Sequence, residues 1–144
     1  MKPSRGTNLG WLGLLLLQPL FVGCGQPAAG ARPGWQLARM EVAGRPTPLP
    51  AGFQVRLDAF DEAAATNRLS GFAGVNSFGC QLVRSNGNHH ARGPVVATRR
   101  GASAEFMSLE AAILTAIDGA TLQSTNRSLL LWREDTMLRF EPKL

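Results

Sequence analysis

Cysteine is scarce. The 144-residue chain carries two, too few for a disulfide scaffold or a four-cysteine zinc site. Charge is scarce as well, at 17% of residues against 44% hydrophobic, which excludes a coiled coil and points to a globular chain rather than a disordered one. The length allows one modest domain. A long apolar run is also missing. No charged side chain lies between Arg5 and Arg32, yet the dense stretch Gly10 to Leu17 is interrupted at Gln18-Pro19 and resumes only over Leu20 to Val22. That falls short of the roughly 20 apolar residues a spanning helix needs.

What this stretch does fit is an export signal. Lys2 and Arg5 supply a positive start, the Leu-rich segment an apolar centre, and small residues follow in order. Phe21-Val22-Gly23-Cys24 resembles the bacterial lipoprotein signature, in which a cysteine behind a small residue is acylated and becomes the new N-terminus. The resemblance implies a signal peptide over 1–23, a lipid on Cys24, and a membrane partner through that lipid. Two or more acyl chains, at about 0.8 kcal/mol per buried methylene, hold a protein to a bilayer without a spanning helix. Gly25 after the cysteine, in place of Asp, implies by the same resemblance a place at the outer membrane, facing the periplasm. The competing expectation is ordinary cleavage after Ala29-Gly30-Ala31, which would discard Cys24 and release a soluble periplasmic protein.

Loss of 1–23 lowers the formal charge from +5 to +3, thirteen cations against ten acids. Along the sequence these cations are interspersed with Asp and Glu, and Arg99-Arg100 is the one local concentration. A phosphate-tracking footprint needs clustering, so no nucleic-acid partner is expected.

Residues 24–34 are small, proline-containing and aperiodic, as in a flexible tether. A domain over 35–141 follows. Trp35 and Leu37 open a strand that the prolines at 46, 48 and 50 break. Phe53, Val55, Leu57 and Ala59 alternate with polar residues as in a half-buried strand. Asp61 to Asn67 reads equally as a turn or a short helix. Strands are expected over 68–73 and 78–84, then a polar loop Ser85 to His90, then a short strand Val95 to Ala97. Ser103 is a suitable helix N-cap, with Glu105 in the first turn. Phe106, Leu109, Ile113 and Ile117 make an apolar stripe flanked by Ala112 and Ala116, and Gly119 can end the helix. Strands over 120–124, 128–133 and 136–140 close the chain. The fold class is therefore α+β, a curled, half-barrel-like antiparallel sheet packed against one amphipathic helix. Trp35 and Trp132 read as core or near-core aromatics.

These residues carry a second resemblance. Trp35-x-Leu37, Ser70-Gly71-Phe72-Ala73-Gly74-Val75-Asn76-Ser77-Phe78-Gly79, Ala97-Thr98-Arg99, the helix and the Leu-rich closing hairpin are similar to the META domain, over roughly Trp35 to Glu141. This is the family of a heat-shock-inducible bacterial outer-membrane lipoprotein and of a protozoan virulence-related protein. The resemblance implies a role in envelope stress tolerance; anchoring and the lack of a catalytic constellation add the expectation of a non-enzymatic monomer that binds an envelope protein or peptide without a cofactor, and the lack of Cys-x-x-Cys or His-x-x-x-His spacing that of no metal. Relatives commonly place Cys before the motif Asn and again just beyond Thr-Arg. Val75 and Ala102 stand there instead, so the pair the resemblance implies is absent.

Gly71, Gly74, Asn76, Phe78, Gly79, Thr98 and Arg99 have two readings. Glycine permits positive φ and close backbone approach, and Asn bonds nearby backbone, so a tight corner accounts for them. Alternatively Asn76, Thr98 and Arg99 present polar groups to a ligand. A catalytic reading rests on Cys80 with His89 or His90, with no third group to orient the imidazole, so no catalytic residue is assigned. A pilot-like lipid or peptide carrier is a further alternative, and it requires an open apolar groove.

Overall fold

Short alternating segments punctuated by glycine and proline fold as nine strands and one helix in the computed structural model, which describes residues 34–58, 67–125 and 127–143. The strands are β1 (Trp35–Val42), β2 (Arg45–Thr47), β3 (Val55–Leu57), β4 (Arg68–Ala73), β5 (Ser77–Ser85) and β6 (Asn88–Ala97), then, after helix α1 (Ala104–Ile117), β7 (Thr121–Ser124), β8 (Leu129–Arg133) and β9 (Thr136–Pro142). The expected signal peptide, Cys24 and the tether up to residue 33 lie outside the described residues, as do Ala59 and most of the 61–67 segment.

All pairings are antiparallel, and the expected curled sheet curls until its ends meet. β1 pairs with β2 and β3 along one edge and with β9 along the other. Eight strands thus close a ring, with β2 a short addition beside β1. A ring of eight strands encloses room for side chains and little else. Register fills it: Met40, Leu138, Leu131 and Leu122 pair in one inward row, and Leu37, Phe140 and Leu129 in another. Leu129, Leu138 and Phe140 are fully buried. Each such side chain contributes roughly 1.5–3 kcal/mol of transfer free energy.

Helix α1 starts where Ser103 Oγ accepts from Phe106 N at 3.3 Å, and Gly119 at φ 84° ends it. It touches β4, β6, β8 and β9, strands from opposite sides of the ring, and so lies across one end of the barrel. Ile113, Ala116 and Ile117 are buried against the core, whereas Ala112 is exposed. Its last turn has no basic residue of its own. Arg133 at the end of β8 supplies one: Nη1 donates to Thr115 O at 2.8 Å and to Asp118 O.

Several local expectations change. Pro46 sits inside β2, tolerated because β2 lies at an edge. The expected loop at Ser85 to His90 is a tight hairpin in which Asn86 and Gly87 take φ of 51° and 80°, so His89 and His90 already belong to β6. Trp35 packs on the core. Trp132 does not, with 36% of its surface exposed, because its neighbour Leu131 takes the inward position on β8.

Candidate functional site

The glycine-rich motif forms the corner between β4 and β5. A Cβ on Gly71 would lie 2.2 Å from Arg56 O, since β3 passes directly alongside. Gly74 adopts φ +109°, and a Cβ there would lie 2.2 Å from the Phe53 ring. That ring in turn meets Phe106 of α1 edge to face at a centroid distance of 5.1 Å. Phe78 is buried in the core. Gly79 faces outward, and the Arg68 guanidinium lies over it.

Asn76 is buried, and every polar atom it has is engaged. Its backbone N–H donates to Glu110 Oε1 at 2.5 Å and its carbonyl accepts from Ala73 N at 2.8 Å. The side-chain Nδ2 donates to Glu110 Oε2 at 2.7 Å and to Arg100 O at 3.3 Å. Oδ1 accepts from Arg100 N at 2.6 Å and from Thr98 Oγ1 at 3.0 Å. Thr98 Oγ1 itself accepts from Ser77 N, and Val75 N donates to Glu110 Oε1, both at 3.2 Å. Glu110 is 3% exposed and serves purely as an acceptor for N–H groups. One amide and one carboxylate therefore tie together the β4–β5 corner, the β6–α1 link and the helix. Among the described residues no buried side-chain nitrogen or oxygen lacks a partner, so the network has no spare group aimed at a ligand.

Cys80 lies on the inward face of β5 and is buried. Burial, reinforced by the Asp118 carboxylate and opposed by Arg68, pushes its thiol from 9.0 up to about 11. A thiol so protonated is a poor nucleophile. His90 is not its base. It pairs with Val83, on the opposite face from Cys80, and its Nδ1 lies 3.2 Å from Thr121 Oγ1. Among the described residues no three of His, Cys, Asp and Glu gather closely enough to hold a metal ion.

The META domain matches residues 31–143. The chain belongs to the META domain family. Three solved structures share the fold of this META domain. A solution structure of a protein from Burkholderia xenovorans has a TM-score of 0.60 at 20% identity, over 78% of this chain and 82% of that one. A second solution structure reaches 0.52 at 23% identity, over 78% and 90%. A crystal structure of a DUF4847 family protein from Bacteroides vulgatus reaches 0.52 at 14% identity, over 77% and 92%. No curated protein matches the chain.

Within the META domain, Gly71, Gly74, Asn76, Phe78 and Thr98 come together at one corner. Arg99 does not join them; its side chain is exposed, and the backbone of Arg100 takes the place expected of it. Glu110 is the participant with no counterpart among the expected site residues. Its signal was present, because Phe106, Glu110, Ile113 and Ile117 fall on one helical stripe, and a carboxylate inside an apolar stripe requires buried donors. Val75 and Ala102 flank the same network, and the Asn76–Arg100 bonds join the two segments that carry them.

Proposed function

We propose that this META domain protein is an envelope lipoprotein, acylated at Cys24, whose domain acts in stress tolerance as a rigid binding module rather than an enzyme. The observation that carries the reading is the filled interior. Ile113 and Ile117 from the helix meet Leu129, Leu131, Leu138 and Phe140 from the sheet, all at most 1% exposed. The grooves that line the described surface are open and lie outside that core. A filled barrel argues against the pilot-like alternative, in which lipid or peptide enters the fold. The inward, protonated Cys80 argues against thiol hydrolysis. Binding then belongs to the outer surface, and the lipid supplies the address.

Mass spectrometry of the mature N-terminus tests the anchor. A diacylglyceryl-modified Cys24 is expected. An unmodified chain beginning at Arg32 would make the protein soluble in the periplasm and overturn the reading. Cys80-dependent turnover of thiol-ester or peptide substrates would overturn its non-enzymatic half.

A further inference from the structure

One stretch of the chain departs from the interspersed pattern of charge. Residues 67–104 contain five arginines, at 68, 84, 92, 99 and 100, and no Asp or Glu. These residues build β4, β5, β6 and the link to the helix, which are contiguous in the barrel. All five arginines are exposed. Elsewhere the pattern differs. Arg39 pairs with Glu41 at 2.5 Å, Arg133 with Glu134 at 3.6 Å and Arg139 with Glu141 at 3.6 Å, all on β1 and the β8–β9 hairpin. None of the five has a carboxylate within ion-pair distance among the described residues.

Register places the charges on the outside. Arg68, Gln81 and Arg92 pair in one cross-strand row, which sets the two guanidinium-bearing strands about 10 Å apart. The next outward row is Ser70, Gly79 and Val96. Gly79 leaves a depression there, and a groove of about 700 Å³ runs past Arg68, Gly79, Gln81, Pro94 and Val96. Val96 is 67% exposed, the most exposed large apolar side chain described. Two acids border this face, Asp58, which accepts from Ser70 Oγ at 2.7 Å, and Asp118, whose carboxylate lies beside Gly93, and neither is ion-paired to the five arginines. Arginine in excess over acid beside exposed aliphatic surface is the composition of a surface that rests in a lipid headgroup layer.

We propose that the outer face of β4–β6 docks on the anionic, phosphate-bearing surface of a lipid bilayer, with headgroups entering the groove beside Arg68. The proposal rests on the anchored reading above for its geometry. Eleven tether residues span at most about 40 Å. Trp35, where the tether meets the barrel, lies in an unbroken cross-strand row with Leu57, Gly71, Phe78 and Ala97, and so within four strand spacings, about 20 Å, of β6. A chain held by its lipid can therefore lay this face on the same leaflet.

The test uses residues 24–144 with Cys24→Ser, which keeps every described residue and carries no acyl chain, and cosedimentation with vesicles of phosphatidylglycerol mixed into phosphatidylcholine. Binding is expected to these vesicles, not to phosphatidylcholine alone, and to vanish near 1 M salt, where screening acts beyond about 3 Å. Replacing Arg68 and Arg92 together by Gln should weaken partitioning about 25-fold, at roughly fivefold per arginine. Replacing the ion-paired Arg39 and Arg139 by Gln should change it less than about twofold. Circular dichroism confirms that both variants fold. No binding to the anionic vesicles, equal loss in the two variants, or tighter binding to a single-stranded oligonucleotide than to the vesicles would overturn the proposal. Mass spectrometry of Cys24 stays independent: an unacylated N-terminus sinks the anchor while vesicle binding is read as it stands, and the reverse holds.

Discussion

Asn76 Nδ2 donates to Glu110 Oε2 at 2.7 Å across the seam between sheet and helix, while the Asn76 backbone N–H reaches Oε1 of the same carboxylate at 2.5 Å. The carboxylate faces donors on both oxygens. Glu110→Gln keeps the shape but turns one acceptor into an N–H₂ group aimed at an N–H, leaving a buried clash and a lost bond. A loss of about 2 kcal/mol of unfolding free energy is expected, measured by urea titration with an unchanged slope.

Gly74 and Gly87 separate two causes of glycine dependence. Both have positive φ, but a Cβ at Gly87 meets open space, whereas one at Gly74 meets the Phe53 ring. Gly87→Ala should therefore cost about 1 kcal/mol through backbone strain alone. Gly74→Ala adds overpacking against Phe53 and should cost about 2–4 kcal/mol. Equal losses in thermal or urea unfolding would remove Phe53 from the explanation.

Cys80 gives the domain an alkaline signature. The folded thiol titrates near 11 and the unfolded one near 9.0. Its contribution is fully present below pH 9 and is lost as pH rises towards 11, because the unfolded chain releases the proton first. The chain has no Tyr, and Lys2 and Lys143 are its only lysines, so little else titrates in that window. Cys80→Ala should flatten the fall in stability between those pH values. At pH 8 the native thiol should react with iodoacetamide about a hundredfold more slowly than the same thiol in denaturant.

Arg133 closes a helix it does not belong to. Its bonds to Thr115 O and Asp118 O place a cation at the negative end of α1. Arg133→Ala should lower stability by about 1–2 kcal/mol. Arg127→Ala, at an exposed turn residue, should stay within about 0.5 kcal/mol. Calorimetry of the two variants side by side checks the difference.

The local signals were largely legible. Alternation around Val55 and Leu57, the Ser103 cap and the Gly119 stop are each decided by neighbours within a few residues, and each matches the structure. The antiparallel curled sheet with one helix also followed from the order of those signals. What did not follow depends on residues far apart in the chain. Closure of the ring needs β1 to find β9, about a hundred residues away, and nothing local encodes that pairing. Trp132 illustrates a related limit: in Leu129-Leu130-Leu131-Trp132 every side chain is apolar, so alternation cannot tell which pair faces inward. At the motif, glycine and Asn announced a corner, but the partner that completes it sits 34 residues on, disguised within an apolar stripe. The gathering of Arg68 and Arg92 is likewise invisible until β4, β5 and β6 are placed side by side.

A double-mutant cycle of Asn76→Ala and Glu110→Ala on urea unfolding tests most directly whether the glycine–asparagine motif braces the fold rather than reading a ligand. Each single change is expected to cost about 3 kcal/mol, and the pair to couple by about 1–3 kcal/mol. Near-zero coupling, with Asn76→Ala leaving stability within about 0.5 kcal/mol of the parent, would contradict the bracing and return Asn76 to the role of a recognition residue.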